Sequence, residues 1–329
     1  MLARVRMIAA LGLAFAAGAS AQTYQPPRHS APPPLFANGS PQALAAHADA
    51  GTQIERGRLP GDELAEHRRL DRALRALQPQ RRGVVDAYVI AIALDSDPVF
   101  GREAREAGEV LQRRYGARGR TLVLAGSDGS APSALPRGSP HALAIALARV
   151  AELMDENEDA LILYTTSHGA RFGLFYNDAD SGYGAISPNR MAAMLDGLGL
   201  RNRLLIISAC YSGIFVPRLQ SDSSAIVTAA SRDRSSFGCL AENDWTFFGD
   251  AMINNALRKP QPLAEAFTEA NGLITSWEAQ FPVRPSEPQV SIGPGTARWL
   301  GALERRLPPA TPRRGRSAVE TSREALLRR

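Results

Sequence analysis

The sequence predicts an α/β protein built on a mostly parallel central sheet of about six strands, with helices on both faces. Three observations carry this. Short, nearly continuous apolar runs rich in β-branched residues recur through the middle of the chain, as buried parallel strands do. Helical patterns over 102–114, 140–154 and 188–195 separate the first four of them, the alternation of right-handed crossover units. The 329 residues are 44% hydrophobic and 22% charged, a globular composition long enough for one large domain.

In chain order, Arg4 and Arg6 precede an apolar run from Met7 to Ala17 and the small-residue triplet Ala19, Ser20, Ala21. This is the pattern of a secretory signal over 1–21, and the run is too short to span a bilayer. Export to a periplasm or beyond is expected, with no membrane span elsewhere. Residues 22–61 begin Pro-rich and read as a linker. Residues 62–82 follow as an N-terminal helical segment: DELAEHRRLDRALRAL places Leu70, Ala73, Leu74 and Leu77 on one stripe opposite a charged face.

After Gly83 the pattern changes. VVDAYVIAIAL (84–94) opens the predicted catalytic domain, 83–300. A helix over 102–114, a strand TLVLAG (121–126), a helix over 140–154 and a strand ALILYTTS (160–167) come next. A short helix near 188–195, strands RLLIISAC (203–210) and SAIVTAAS (224–231), helices over 245–257 and 262–280, and a strand PQVSIG (288–293) complete it. The tail, 301–329, carries eight Arg and three Glu and is expected to be disordered.

Charge location matters more than the formal +5. Setting the tail and leader aside leaves 28 basic against 30 acidic residues, so the body is near neutral and nucleic acid is not expected as a partner.

Ligand sites in open α/β sheets lie where loops leave the carboxyl ends of strands. Two such ends carry chemistry: one strand runs into Ser167, His168 and Gly169, another into Cys210, Tyr211, Ser212 and Gly213. A histidine and a cysteine leaving one sheet edge make a proton acceptor and a nucleophile. Gly169 leaves room for a substrate carbonyl, so the N–H groups of Gly169 and Cys210 are the candidate oxyanion donors. The chain's other cysteine, Cys239, leaves a Cys210–Cys239 disulfide as an alternative in an exported protein. No G-x-S-x-G occurs, against a serine hydrolase of that type, and no H-E-x-x-H occurs, against a zincin. No cofactor or metal is expected.

The SHG and SACYSG blocks resemble those of the caspase-like clan of cysteine peptidases. The stretch TAASRDRSSFGCLAENDWTFFGDA (228–251) is similar to the region after the nucleophile in legumain-like asparaginyl endopeptidases. The resemblance covers about 84–295 and implies a caspase-like fold, His168 and Cys210 as dyad and Gly169 as oxyanion donor. It implies that Ser235 and Ser236 line the substrate cleft, and that Asp250 faces Arg102 in a P1 pocket suited to an Asn amide. The activity implied is endopeptidase cleavage of a protein or peptide, after Asn or Asp. The same dyad also serves transpeptidases, and a non-catalytic binding module on this fold is the reading from another class. Two departures stand out: the family's histidine-orienting Asn has no match in ALDSDPVFGRE, and Tyr211 replaces the acidic residue that often follows the nucleophile.

Overall fold

The computed structural model describes residues 39–126 and 133–327; the signal segment and the Pro-rich stretch up to residue 38 lie outside the described residues. The described residues start with α1 (Pro41–Ala50), β1 (Gln53–Glu55) and α2 (Pro60–Arg75). Then β2 (Ala87–Ala93), α3 (Pro98–Arg114), β3 (Thr121–Leu124), α4 (Pro140–Leu153) and β4 (Ala160–Thr166) alternate as expected. Three short strands follow, β5 (Gly169–Ala170), β6 (Gly173–Asp178) and β7 (Gly182–Ile186), then α5 (Pro188–Gly197), β8 (Arg203–Ser208), α6 (Val216–Leu219) and β9 (Ser224–Thr228). The C-terminal part holds α7 (Leu263–Glu278), β10 (Gln289–Ile292), α8 (Leu300–Glu304) and α9 (Ala318–Leu327).

The main sheet has six strands in the order β10-β9-β8-β4-β2-β3, parallel except for β10, which pairs antiparallel with β9 at the edge. Every residue of β2, β4, β8 and β9 is buried, which explains why these strands read as continuous apolar runs. Successive side chains point to opposite faces. Val89, Ile162, Leu204 and Val227 pack with Val110 and Leu111 of α3 and Ile274 of α7, while Ile90, Leu163 and Leu205 pack with Leu143 and Leu147 of α4 and Leu195 of α5. Each fully buried aliphatic side chain contributes about 2 kcal/mol from apolar surface removed from water. Ser139 and Ser187 start α4 and α5 by accepting from the N–H groups of Ala142 and Arg190, each followed by a proline in the first turn.

Four features differ from the sequence reading. The stretch assigned to a linker folds from residue 41: α1 packs near α5, and β1 joins a second, antiparallel sheet in the order β1-β7-β6-β5. That hairpin sheet was not anticipated, because its residues 169–186 are glycine-rich and short on periodic apolar positions. The helix expected over 245–257 is a π-helix, Gly249–Asn255, continued by a 3₁₀ turn. The basic tail does not hang free: α8 and α9 bury Leu303, Ala318 and Val319 against the body. No described helix is long and apolar enough to cross a membrane.

Candidate active site

The two chemically marked strand ends meet because β4 and β8 are neighbours. Thr166 and Ser208 are paired in register, and each lies two residues before its functional side chain, so His168 and Cys210 leave the same edge side by side. The hairpin sheet fixes the His168 backbone: Phe175 donates to its carbonyl at 3.0 Å, and the Ser167 hydroxyl donates to the Phe175 carbonyl at 2.6 Å. A Cβ built on Gly169 would stand 2.1 Å from the Cys210 carbonyl oxygen, so only glycine lets these two backbones approach. Tyr211 holds φ at 58°, a left-handed conformation rare for a bulky residue, and this turns the chain sharply after Cys210.

The imidazole is oriented by groups the sequence did not single out. Nε2 of His168 lies 3.4 Å from Oδ2 of Asp97, and the Phe100 ring meets the imidazole edge-on with centroids 5.0 Å apart. Both come from the start of α3, so Asp97 and Phe100 stand where the family's asparagine was sought. Burial opposes the imidazolium, but the Asp97 carboxylate and the Cys239 side chain outweigh it and hold His168 above the ordinary histidine range. The side chain keeps 39% of its surface exposed, so solvent screens these partners and the direction is what matters chemically.

Cys210 is half-buried and free, as is Cys239, so the disulfide alternative is not formed. Its sulfur accepts from the Ser236 N–H at 3.2 Å, and its thiol lies 3.5 Å from the Ser236 carbonyl as donor. Burial pushes the Cys210 thiol up; the Ser236 backbone contact, His168 and Ser235 pull the other way without cancelling it. Ser235 and Ser236 therefore sit at the sulfur itself. Across the cleft rim the Arg171 guanidinium stacks over the Tyr211 ring at 5.2 Å.

This arrangement brings a thiol and an oriented imidazole to adjacent strand ends beside close-packed backbone, and residues 137–293 match the Peptidase C13 family. Over those residues the chain is similar to the legumain-like cysteine peptidases. The matched residues include His168, Cys210, Ser235, Ser236 and Asp250, whereas Asp97, Arg102 and Phe100 of the peptidase precede them. Among solved structures, caspase-1 from Spodoptera frugiperda is similar over 66% of this chain and 93% of that one, at 14% identity and a TM-score of 0.41. Among curated proteins no match is found.

The pocket expected between Arg102 and Asp250 is not formed in the peptidase. Asp250 is 1% exposed: Oδ2 accepts from the Ala318 N–H at 2.8 Å, and Oδ1 accepts from the side chains of Asn254 at 2.9 Å and Asn255 at 3.1 Å. The tail, expected to be disordered, covers this carboxylate. Arg102 instead donates to the carbonyls of Ala241 and Asn243, both at 2.5 Å, with Asp244 at 3.8 Å. It steadies the segment after Cys239 rather than facing Asp250.

Proposed function

We propose that the protein is an exported cysteine endopeptidase that hydrolyses peptide bonds with His168 and Cys210 through a thioester. The observation carrying this reading is the pairing of Thr166 with Ser208, which sets the imidazole and the thiol at adjacent strand ends. With Nε2 engaged by Asp97, Nδ1 is the ring atom that exchanges protons. The imidazole, once neutral, takes the thiol proton while the sulfur attacks the scissile carbonyl carbon. The N–H groups of Gly169 and Cys210 receive the oxyanion. His168 then gives its proton to the leaving amine as the C–N bond breaks. Water attacks the thioester with His168 as base, the S–C bond breaks, and the thiol is restored.

Asp250 takes no part in substrate recognition in this reading, because its oxygens are occupied. Arg102 is likewise engaged, by the Ala241 and Asn243 carbonyls, so a preference for Asn or Asp at P1 would rest on Ser235 and Ser236 beside the sulfur. Export rests on the segment ending in Ala19, Ser20, Ala21, and N-terminal sequencing of exported protein should begin at Gln22.

The test is a panel of fluorogenic peptides bearing Asn, Asp, Arg or Ala at P1, assayed with wild type, Cys210→Ala and His168→Ala. Turnover is expected for wild type and a loss of at least about 10³-fold for each variant. Wild-type turnover by either folded variant would remove the dyad from the mechanism.

A further inference from the structure

Glu103 lies on α3, one residue after Arg102, and is fully buried. A carboxylate so placed loses its hydration and needs donors in return. It has four, all neutral. Oε1 accepts from the hydroxyls of Tyr164, Thr166 (2.8 Å) and Ser208 (2.9 Å), and Oε2 accepts from the Thr246 N–H at 2.9 Å. Burial first, and the Glu103 carboxylate second, push the Tyr164 hydroxyl well above its ordinary range, so Tyr164 remains a donor. The chain closes tightly on the other oxygen as well: a Cβ on Gly249 would stand 2.0 Å from Oε2.

Two of the donors have a particular place. Thr166 and Ser208 are the register pair that ends β4 and β8, and the next residue but one on each strand is His168 or Cys210. A single oxygen atom therefore ties together the two backbones from which the imidazole and the thiol emerge. Thr246, bonded to the other oxygen, also lies 3.3 Å from the Ser208 hydroxyl, which closes the network on the nucleophile's side.

We propose that Glu103 is a positioning residue of the peptidase, clamping the ends of β4 and β8 so that His168 and Cys210 keep a reactive separation. This rests on the dyad reading and adds to it a residue that touches neither substrate nor reacting atoms. The clamp needs an acceptor at both oxygens at once. A glutamine at 103 offers an N–H₂ either to the Thr246 N–H, where two donors then face each other, or to the three hydroxyls, which must then turn to other acceptors. Either way one side of the clamp opens, and displacement of a reacting pair by about 1 Å costs on the order of 10²-fold in rate.

The experiment compares Glu103→Gln, Thr166→Val and Ser208→Ala with wild type and Cys210→Ala. It measures kcat and KM on the best peptide, and the pH dependence of iodoacetamide labelling at Cys210 by peptide mass mapping. Folded Glu103→Gln is expected to lose roughly 10- to 100-fold in kcat with KM within about threefold, and its labelling profile should move along the pH axis because the thiol no longer feels His168 as before. Thr166→Val and Ser208→Ala should each reproduce part of both effects, and they decide the matter if Glu103→Gln does not fold. Wild-type kcat and an unmoved labelling profile in the folded variants, beside an inactive Cys210→Ala, would overturn the clamp and leave the dyad standing. An active Cys210→Ala would instead remove the dyad, and the clamp with it.

Discussion

Nε2 of His168 and Oδ2 of Asp97 stand 3.4 Å apart, bringing a carboxylate from the loop after β2 to the imidazole that ends β4. The relationship supplies the orienting partner that the sequence lacks at the expected asparagine position. It also fixes a sign: a nearby carboxylate favours the imidazolium, so His168 is neutral only at higher pH than an isolated histidine would need.

Asp97→Asn should therefore let His168 release its proton at lower pH, by about one pH unit given the partial exposure of the ring. Histidine NMR titration of the two proteins measures it. A titration midpoint that stays put or rises would show that Asp97 does not hold the charge. The variant should also lose turnover, because Nε2 loses its orienting carboxylate.

Without substrate, labelling of Cys210 should climb through the alkaline range rather than level off at neutral pH. Burial holds the thiol in its protonated form, and its proton lies toward the Ser236 carbonyl. A labelling plateau already present at pH 6 would mean that the resting pair is a thiolate and an imidazolium, contrary to this geometry.

Gly169→Ala should cut kcat by about 100-fold or more in the protein that remains folded, at a cost in stability. The added methyl would meet the Cys210 carbonyl oxygen at 2.1 Å, so the two strand ends have to separate. Steady-state kinetics alongside thermal unfolding distinguishes this from general destabilisation; unchanged kcat would show that the close approach is dispensable.

Asp250→Ala should act on stability. It leaves the Ala318 N–H without its acceptor and takes one of two acceptors from each of the Asn254 and Asn255 amides, a loss of about 1–3 kcal/mol, and it should free the segment around α9 for limited proteolysis. Labelling of Cys210 should be unaffected. If cleavage after Asn alone collapses while the unfolding midpoint is unchanged, the carboxylate reaches substrate after all.

The sequence by itself determined the sheet and singled out the proposed reacting pair. Strands such as AYVIAIA and ALILYTT are legible because burial on both faces forces continuous apolar runs, and His168 and Cys210 are legible because each interrupts its pattern at a strand's carboxyl end. Only the tertiary structure decided what surrounds that pair. Asp97 meets His168 across 71 positions, Glu103 meets Ser208 across 105, and Ala318 closes over Asp250 across 68. Such contacts follow from strand order and from the path of the loops and tail, which no local periodicity encodes. The same cause explains the tail: its arginines and prolines read as a solvated end, yet a few small apolar residues, Ala318 and Val319 among them, suffice to dock it once the body offers a surface.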